Sequence, residues 1–314
     1  MTDFLMRTNR LCNVLVFLVV FTGRPLLAQT LTATVTVGPT NPFLAVNPVT
    51  NKIYVASSFS NTVIVIDGSN NQTATVTVPN VTGFGSVAVN PVTNTAYVGG
   101  PSNNSVTVID AANRITTLTD PRARGIAGIA VNAVTNKIYV ANSASNNISV
   151  IDGATNGLTI LSDPNAMTPE TLAVNPLTDK IYIANFGSNN VTVIDASNNN
   201  SMTTIPMTVA SPPGPMAINE VTNKIYVIQE TNNSVSVIDG VTNVVSSPIA
   251  VGVHPIDVAV NPATNKIYIG NNNSNFVTVM DGATNSTANI TVGFNSVVAV
   301  NALTNKIYVA IVRS

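Results

Sequence analysis

Near-copies of one line of sequence recur along this chain, and that recurrence limits its fold more than any other feature. Residues 129–156 read IAVNAVTNKIYVANSASNNISVIDGATN. The anchor "VN…TNKIYV", or a close variant, returns around Asn47, Asn90, Asn132, Asn175, Asn219, Asn261 and Asn301, at spacings of 43, 42, 43, 44, 42 and 40 residues. A fixed period near this length, filled with short β-prone runs, is the signature of propeller blades. Length alone would allow two domains, but seven such units close into one ring and leave little chain over.

Within the first repeat four strands are expected, over residues 44–47, 52–56, 62–67 and 73–78. Asp67-Gly68 is expected to make a tight hairpin turn after the third. Apolar residues occupy both faces of KIYVA and VTVID, as in sheets covered on both sides by neighbouring blades. The expected fold class is therefore all-β: a seven-bladed β-propeller of four-stranded antiparallel blades. The seventh repeat has sequence for only two strands, 296–301 and 306–312, before Ser314. A strand over 31–37 can return as the outer strand of that blade, but it would run parallel to 306–312 and needs an antiparallel strand between them. The seventh blade is thus expected to be incomplete or closed by the N-terminal strand, with 23–29 one candidate for the gap.

The N-terminus reads as an export leader over 1–28, followed by a single propeller domain over 29–314. Arg7 and Arg10 precede an apolar run, 11–21, and Ala28 offers a small residue for cleavage. The run is too short to span a bilayer. Cys12 is the only cysteine, so cleavage would leave no thiol or disulfide chemistry. The expected location is periplasmic or extracellular. Charged residues make up 9% of the chain and the formal net charge is −1, so the basic face of a typical nucleic-acid binder is absent from the totals.

The runs YVASS, YVGG, YVANS, YIANF, YVIQE, YIGNN and YVAIV, with VIDGSNN, VIDGATN, VIDASNN and VIDGVTN, resemble the YVTN-type β-propeller repeat. The chain looks like the YncE-like exported proteins and related surface-layer repeat proteins. Thr95-Ala96 in place of Lys-Ile, and the absent third strand of the seventh repeat, depart from that pattern. The resemblance implies a fold more than a function. Its broad set includes ligand-binding and nucleic-acid-binding propellers, surface proteins and scaffolding subunits of redox enzymes.

Residues that recur in every repeat are read as structural. Lys52, Lys137, Lys180, Lys224 and Lys266 each precede an aspartate by 15 residues, Asp67, Asp152, Asp195, Asp239 and Asp281. A constant offset across a hairpin places opposed residues, so a Lys–Asp cross-strand pair is expected in each of those blades. The seven tyrosines, one per repeat, are expected between blades with the hydroxyl finding a partner at an edge. The asparagine of "VN" is expected to cap its own turn.

A site on a repeat protein is built by what breaks the repeat. Phe43, Phe59, Phe84, Phe186, Phe276 and Phe294 all fall in or beside the loops expected on one face. Arg122, Arg124, Glu170, Glu230 and the single histidine, His254, join them, with the proline-rich connector 211–215. The ligand-binding face is therefore expected at Phe59, Phe84, Arg122, Arg124, Phe186, His254 and Phe294. Phenylalanine with arginine suits stacking on sugar rings or on bases of single-stranded nucleic acid, though two arginines are a thin electrostatic footing. No phosphate loop, zinc-ligand set or cofactor motif is present in the sequence. The expectation is a monomeric, exported, non-catalytic module that binds a protein or small molecule. Two alternatives are a lactonase-like propeller hydrolase, which would need Glu170, Glu230, Asp257 or His254 to converge, and a cell-surface structural repeat protein.

Overall fold

The computed structural model describes residues 14–21, 29–38, 41–79, 81–101 and 104–312. Arg7, Arg10, Cys12 and Ala28 lie outside them. The chain is an all-β propeller of four-stranded antiparallel blades. Six blades are each made of four consecutive strands paired in sequence order; Pro42–Asn47, Lys52–Ser57, Thr62–Asp67 and Thr73–Thr77 make the first. Blades of this kind number six rather than the expected seven, because the last repeat contributes only Ser296–Asn301 and Lys306–Val312. Those two strands continue into a composite sheet. Val14–Phe21 pairs antiparallel with Lys306–Val312 on one side and with Gln29–Gly38 on the other. The outer strand is thus the N-terminal one, as expected. The strand between them is 14–21 rather than 23–29, drawn from the run read as part of an export leader. Val37 packs with Ile53, Val55, Tyr308 and Ala310, so this sheet meets the first blade. Among the described residues no helix is long and apolar enough to cross a membrane.

The repeat dictates these elements locally. In the second strand of the first blade Ile53, Tyr54, Val55 and Ala56 are all buried, because a strand between two blades has no solvent face. The turn before it needs one residue with positive φ. Asn51, Asn94, Asn136, Asp179, Asn223, Asn265 and Asn305 supply it at 51–55°, a region that Asn and Asp tolerate best among residues with a Cβ. The asparagine preceding each turn is fully buried and serves twice. Asn47 Oδ1 accepts from the backbone N–H groups of Val49 and Thr50 at 3.0 and 3.1 Å, as expected. Its Nδ2 also donates to Asn94 Oδ1 in the next repeat. The same link runs from Asn90 to Asn136, Asn132 to Asp179, Asn175 to Asn223, Asn219 to Asn265 and Asn261 to Asn305, and Asn301 closes the circle onto Asn51.

Three structural expectations need correction. The opposed Lys–Asp registers are present in all five blades. Yet of these five Lys–Asp couples only Lys266 and Asp281 form an ion pair, at 2.6 Å. The other aspartates spend their oxygens on their own turns, as Asp67 does on Ser69, and Lys224 and Lys306 reach carbonyls of an adjoining blade, Gly282 and Gly68. Second, the tyrosines are buried between blades as expected, but hydroxyl partners are not general. Tyr308 donates to Asn51 Oδ1 at 3.3 Å, whereas the hydroxyls of Tyr139, Tyr182 and Tyr226 have no hydrogen-bond partner among the described residues. Burial pushes the Tyr308 hydroxyl up to about 12. Third, the turn after Asp67 is wider than a two-residue hairpin, with Asn71 carrying the positive φ of 64°. Gly68 provides room: a Cβ there would lie 2.7 Å from the Tyr308 hydroxyl and 2.8 Å from the Asn51 carbonyl oxygen.

Candidate functional site

The first strands of all the repeats surround a central cavity of about 960 Å3. Its wall is set by one sequence position. Phe43, Ser86, Gly128, Thr171, Pro215, Asp257 and Val297 each stand four residues before the buried asparagine of their repeat, and all line the cavity. Leu44, Val87, Ile129, Leu172 and Met216 follow them in the wall. Phe59, Glu230 and Asn272, from loops between second and third strands, stand at the mouth with His254. Among the described residues neither lysine nor arginine lines it.

The polar groups concentrate on one side. His254 has a positive φ of 56°, and its backbone N–H donates to Asn233 Oδ1 at 2.7 Å. The amide nitrogen of Asn272 lies 2.9 Å from His254 Nδ1, and Nε2 of the ring is paired with the Glu230 carboxylate. An amide donating to Nδ1 leaves the ring proton on Nε2, directed at Glu230. Glu170 lies outside the cavity lining. Burial, and then the nearby charge of Glu230, hold its carboxyl above the ordinary value. Asp257 is surrounded by protein yet keeps part of its surface open to the cavity. Burial raises its pKa to about 7, opposed by hydrogen bonds from the backbone N–H groups of Val298 and Val258 at 2.8 and 2.9 Å. Through Val298 it also ties two neighbouring first strands together. The arrangement supplies an apolar wall, a histidine–carboxylate pair and a carboxyl that titrates near neutrality. Among the described residues no group of three or more His, Cys, Asp or Glu side chains is placed to hold a metal ion.

The seven residues expected at the site separate in space. Phe59, 78% exposed, and His254 line the cavity. Phe84 is 1% exposed and packs with Tyr54, Val63 and Val98 in the core between the first two blades, so it plugs that interface and presents nothing to a ligand. Arg122 folds back on Asp120, with Nε 3.1 Å from Oδ1. Arg124, Phe186 and Phe294 are also outside the cavity lining. Phe43 lies within the first strand of its blade, not in a loop, and its side chain contributes to the wall.

These features define a β-propeller with a mixed apolar and acidic central cavity. No protein-family model matches the chain, and no curated protein matches it. Solved structures do. A catalytically inactive virginiamycin B lyase from Staphylococcus aureus with quinupristin, carrying a histidine-to-alanine substitution, matches at a TM-score of 0.75 and 12% identity, covering 95% of this chain and 99% of that one. A streptogramin B lyase matches at 0.72 and 13%, covering 96% and 98%. Hydrazine synthase from Kuenenia stuttgartiensis matches at 0.72 and 17%, covering 88% and 96%. At these identities the likeness is one of fold.

Proposed function

We propose that this chain is an exported, YVTN-type propeller that takes a small ligand into its central cavity, with an apolar body against the wall and a neutral or cationic polar group against Glu230, His254 and Asp257. The observation that carries this reading is the lining itself: apolar side chains from every repeat, carboxylates on one side and, among the described residues, no basic side chain but histidine. The composite sheet is read as a seventh blade that completes the wall. A thermal-shift and calorimetric screen of amphipathic amines, neutral amphiphiles and anions tests the ligand class. Amines or neutral compounds should stabilise the wild type, with Phe59→Ala and Glu230→Gln weakening them at least tenfold. Preference for anions, or binding unaffected by both substitutions, overturns the reading. N-terminal sequencing of secreted protein tests the export leader.

A second reading, an acid–base enzyme, is favoured by the contact between His254 and Glu230, which orients an imidazole beside an open cavity. The fold is shared with a lyase that a histidine-to-alanine change leaves inactive. Turnover of lactones, esters or quinupristin that disappears in His254→Ala while binding persists would establish it. Binding without turnover leaves the module reading in place.

A further inference from the structure

The turn between first and second strands carries an aliphatic side chain two residues after each buried asparagine. These are Val49, Val92, Val134, Leu177, Val221 and Leu303, with the smaller Ala263 in the sixth repeat. The six large ones are 64–72% exposed. They stand at the far end of the first strands from the cavity wall, whose residues come four before the same asparagine. Each turn is tied to the next by the asparagine links, at 2.6–3.1 Å, so the turns that carry these side chains follow one another around a closed circle.

The size of this circle fits an interface. A valine or leucine side chain offers roughly 60–120 Å2 of apolar surface on the usual transfer scale. Six of them, about two-thirds exposed, leave roughly 250–500 Å2 bare, about the size of the largest apolar patch on a typical monomer. Exposed Thr50, Thr93, Thr135, Thr222 and Thr304 flank the circle and carry it toward the roughly 800 Å2 that each partner gives to a stable interface. The charges around it nearly cancel. Six lysines open second strands, with Arg114 at the same end; five aspartates close third strands, Asp110 follows a sixth, and Asp179 and Glu220 stand in the turns. A polyanion or an anionic lipid finds no positive excess there, whereas an identical face meets both signs.

We propose that this turn face is a self-association surface on which a second copy of the chain docks, turn to turn, about a twofold axis. Sedimentation velocity of the full chain over a concentration series tests it, with a Val134→Glu/Leu177→Glu variant and a Phe294→Ser control at the cavity end. The wild type and the control should reach twice the monomer mass, and the double variant should stay monomeric with an unchanged melting temperature. Should the glutamates impair folding, Val134→Thr/Leu177→Thr must still weaken association at least tenfold. A wild type that remains monomeric throughout, a double variant that still dimerises, or a control that loses the dimer overturns the proposal. So does a monomer that instead floats with phosphatidylcholine vesicles through these side chains.

Discussion

Replacing Asn301 by alanine removes three hydrogen bonds from a fully buried position. Its Oδ1 accepts from the backbone N–H groups of Leu303 at 3.1 Å and Thr304 at 3.2 Å, and its Nδ2 donates to Asn51 Oδ1 at 2.9 Å. At about 1 kcal/mol net for each, the loss comes to about 3 kcal/mol. Asn51 Oδ1 keeps the Tyr308 hydroxyl as a donor, so no orphaned acceptor adds to that figure. For a domain of this size the change corresponds to a fall of about 6 °C in Tm. Urea unfolding is the better assay, since the midpoint should drop while the slope stays constant. Asn132→Ala should cost as much or more, because its Nδ2 donates at 2.6 Å to the carboxylate of Asp179 and hydrogen bonds to charged groups are stronger. A loss below about 1 kcal/mol in both variants would refute the reasoning, since it would mean that the exposed turns exchange these bonds for water at no cost. A reduced slope would show that the variant ring is already partly open.

Three other perturbations separate fold from site. Phe84→Ala should cost about 3–5 kcal/mol in urea, the price of emptying a packed aromatic site, whereas the exposed Phe59→Ala should stay within about 0.5 kcal/mol; equal effects would contradict the placement of Phe84 in the core. The Asp257 carboxyl titrates at about 7 in the folded chain and near its ordinary value of 3.8 when unfolded, so between those values the folded state holds more protons and stability falls as pH rises. Melting curves across that window should slope downward for the wild type and flatten in Asp257→Asn; a slope that persists in the variant counts against a buried Asp257. Asp281 is held well below the ordinary carboxylate range, first by the side-chain hydrogen bond from Lys266. The stability this pair adds is present above that range and is lost as pH falls through the folded-state value. Lys266→Met should therefore cost about 0.2–1 kcal/mol at neutral pH, modest because the pair is partly exposed, and the gap to wild type should narrow in strong acid.

The fold was legible because every repeat states the same local choices: Asn, or once Asp179, at the positive-φ turn position, Tyr at the centre of the second strand, aliphatics on both faces. The strand between 306–312 and 29–38 was not, since an apolar run behind two arginines reads as a leader and as a strand with equal ease. Lys–Asp register could be read from the offset of 15, yet pairing could not, because an aspartate beside a turn chooses between a lysine and the backbone N–H groups of the next residues. Of the residues that line the cavity, Phe59 and His254 are among those the sequence singles out. Phe84 was misplaced because a loop phenylalanine plugging two blades and one facing solvent look alike in sequence. Arg122 gave no sign that Asp120, two residues away, would hold it. Phe43 and Ser86 were missed, although the position four before each recurrent asparagine is among the most varied in the repeat.

That division within the repeat has a consequence for how such a chain can change. The turn asparagines and the tyrosines carry closure and packing, while the composition of the wall rests on one position per repeat, from Phe43 to Val297. Those positions are about 40 residues apart in the chain and meet around the cavity, where several are tied to a neighbour: Ser86 Oγ accepts from the Ile129 N–H, Thr171 Oγ1 donates to the Gly214 carbonyl, Asp257 accepts from the Val298 N–H, and a Cβ at Gly128 would lie 2.4 Å from the Glu170 carbonyl oxygen. The wall is a short word spelled one letter per blade in which several letters lean on the next, so respelling it calls for changes in neighbouring pairs.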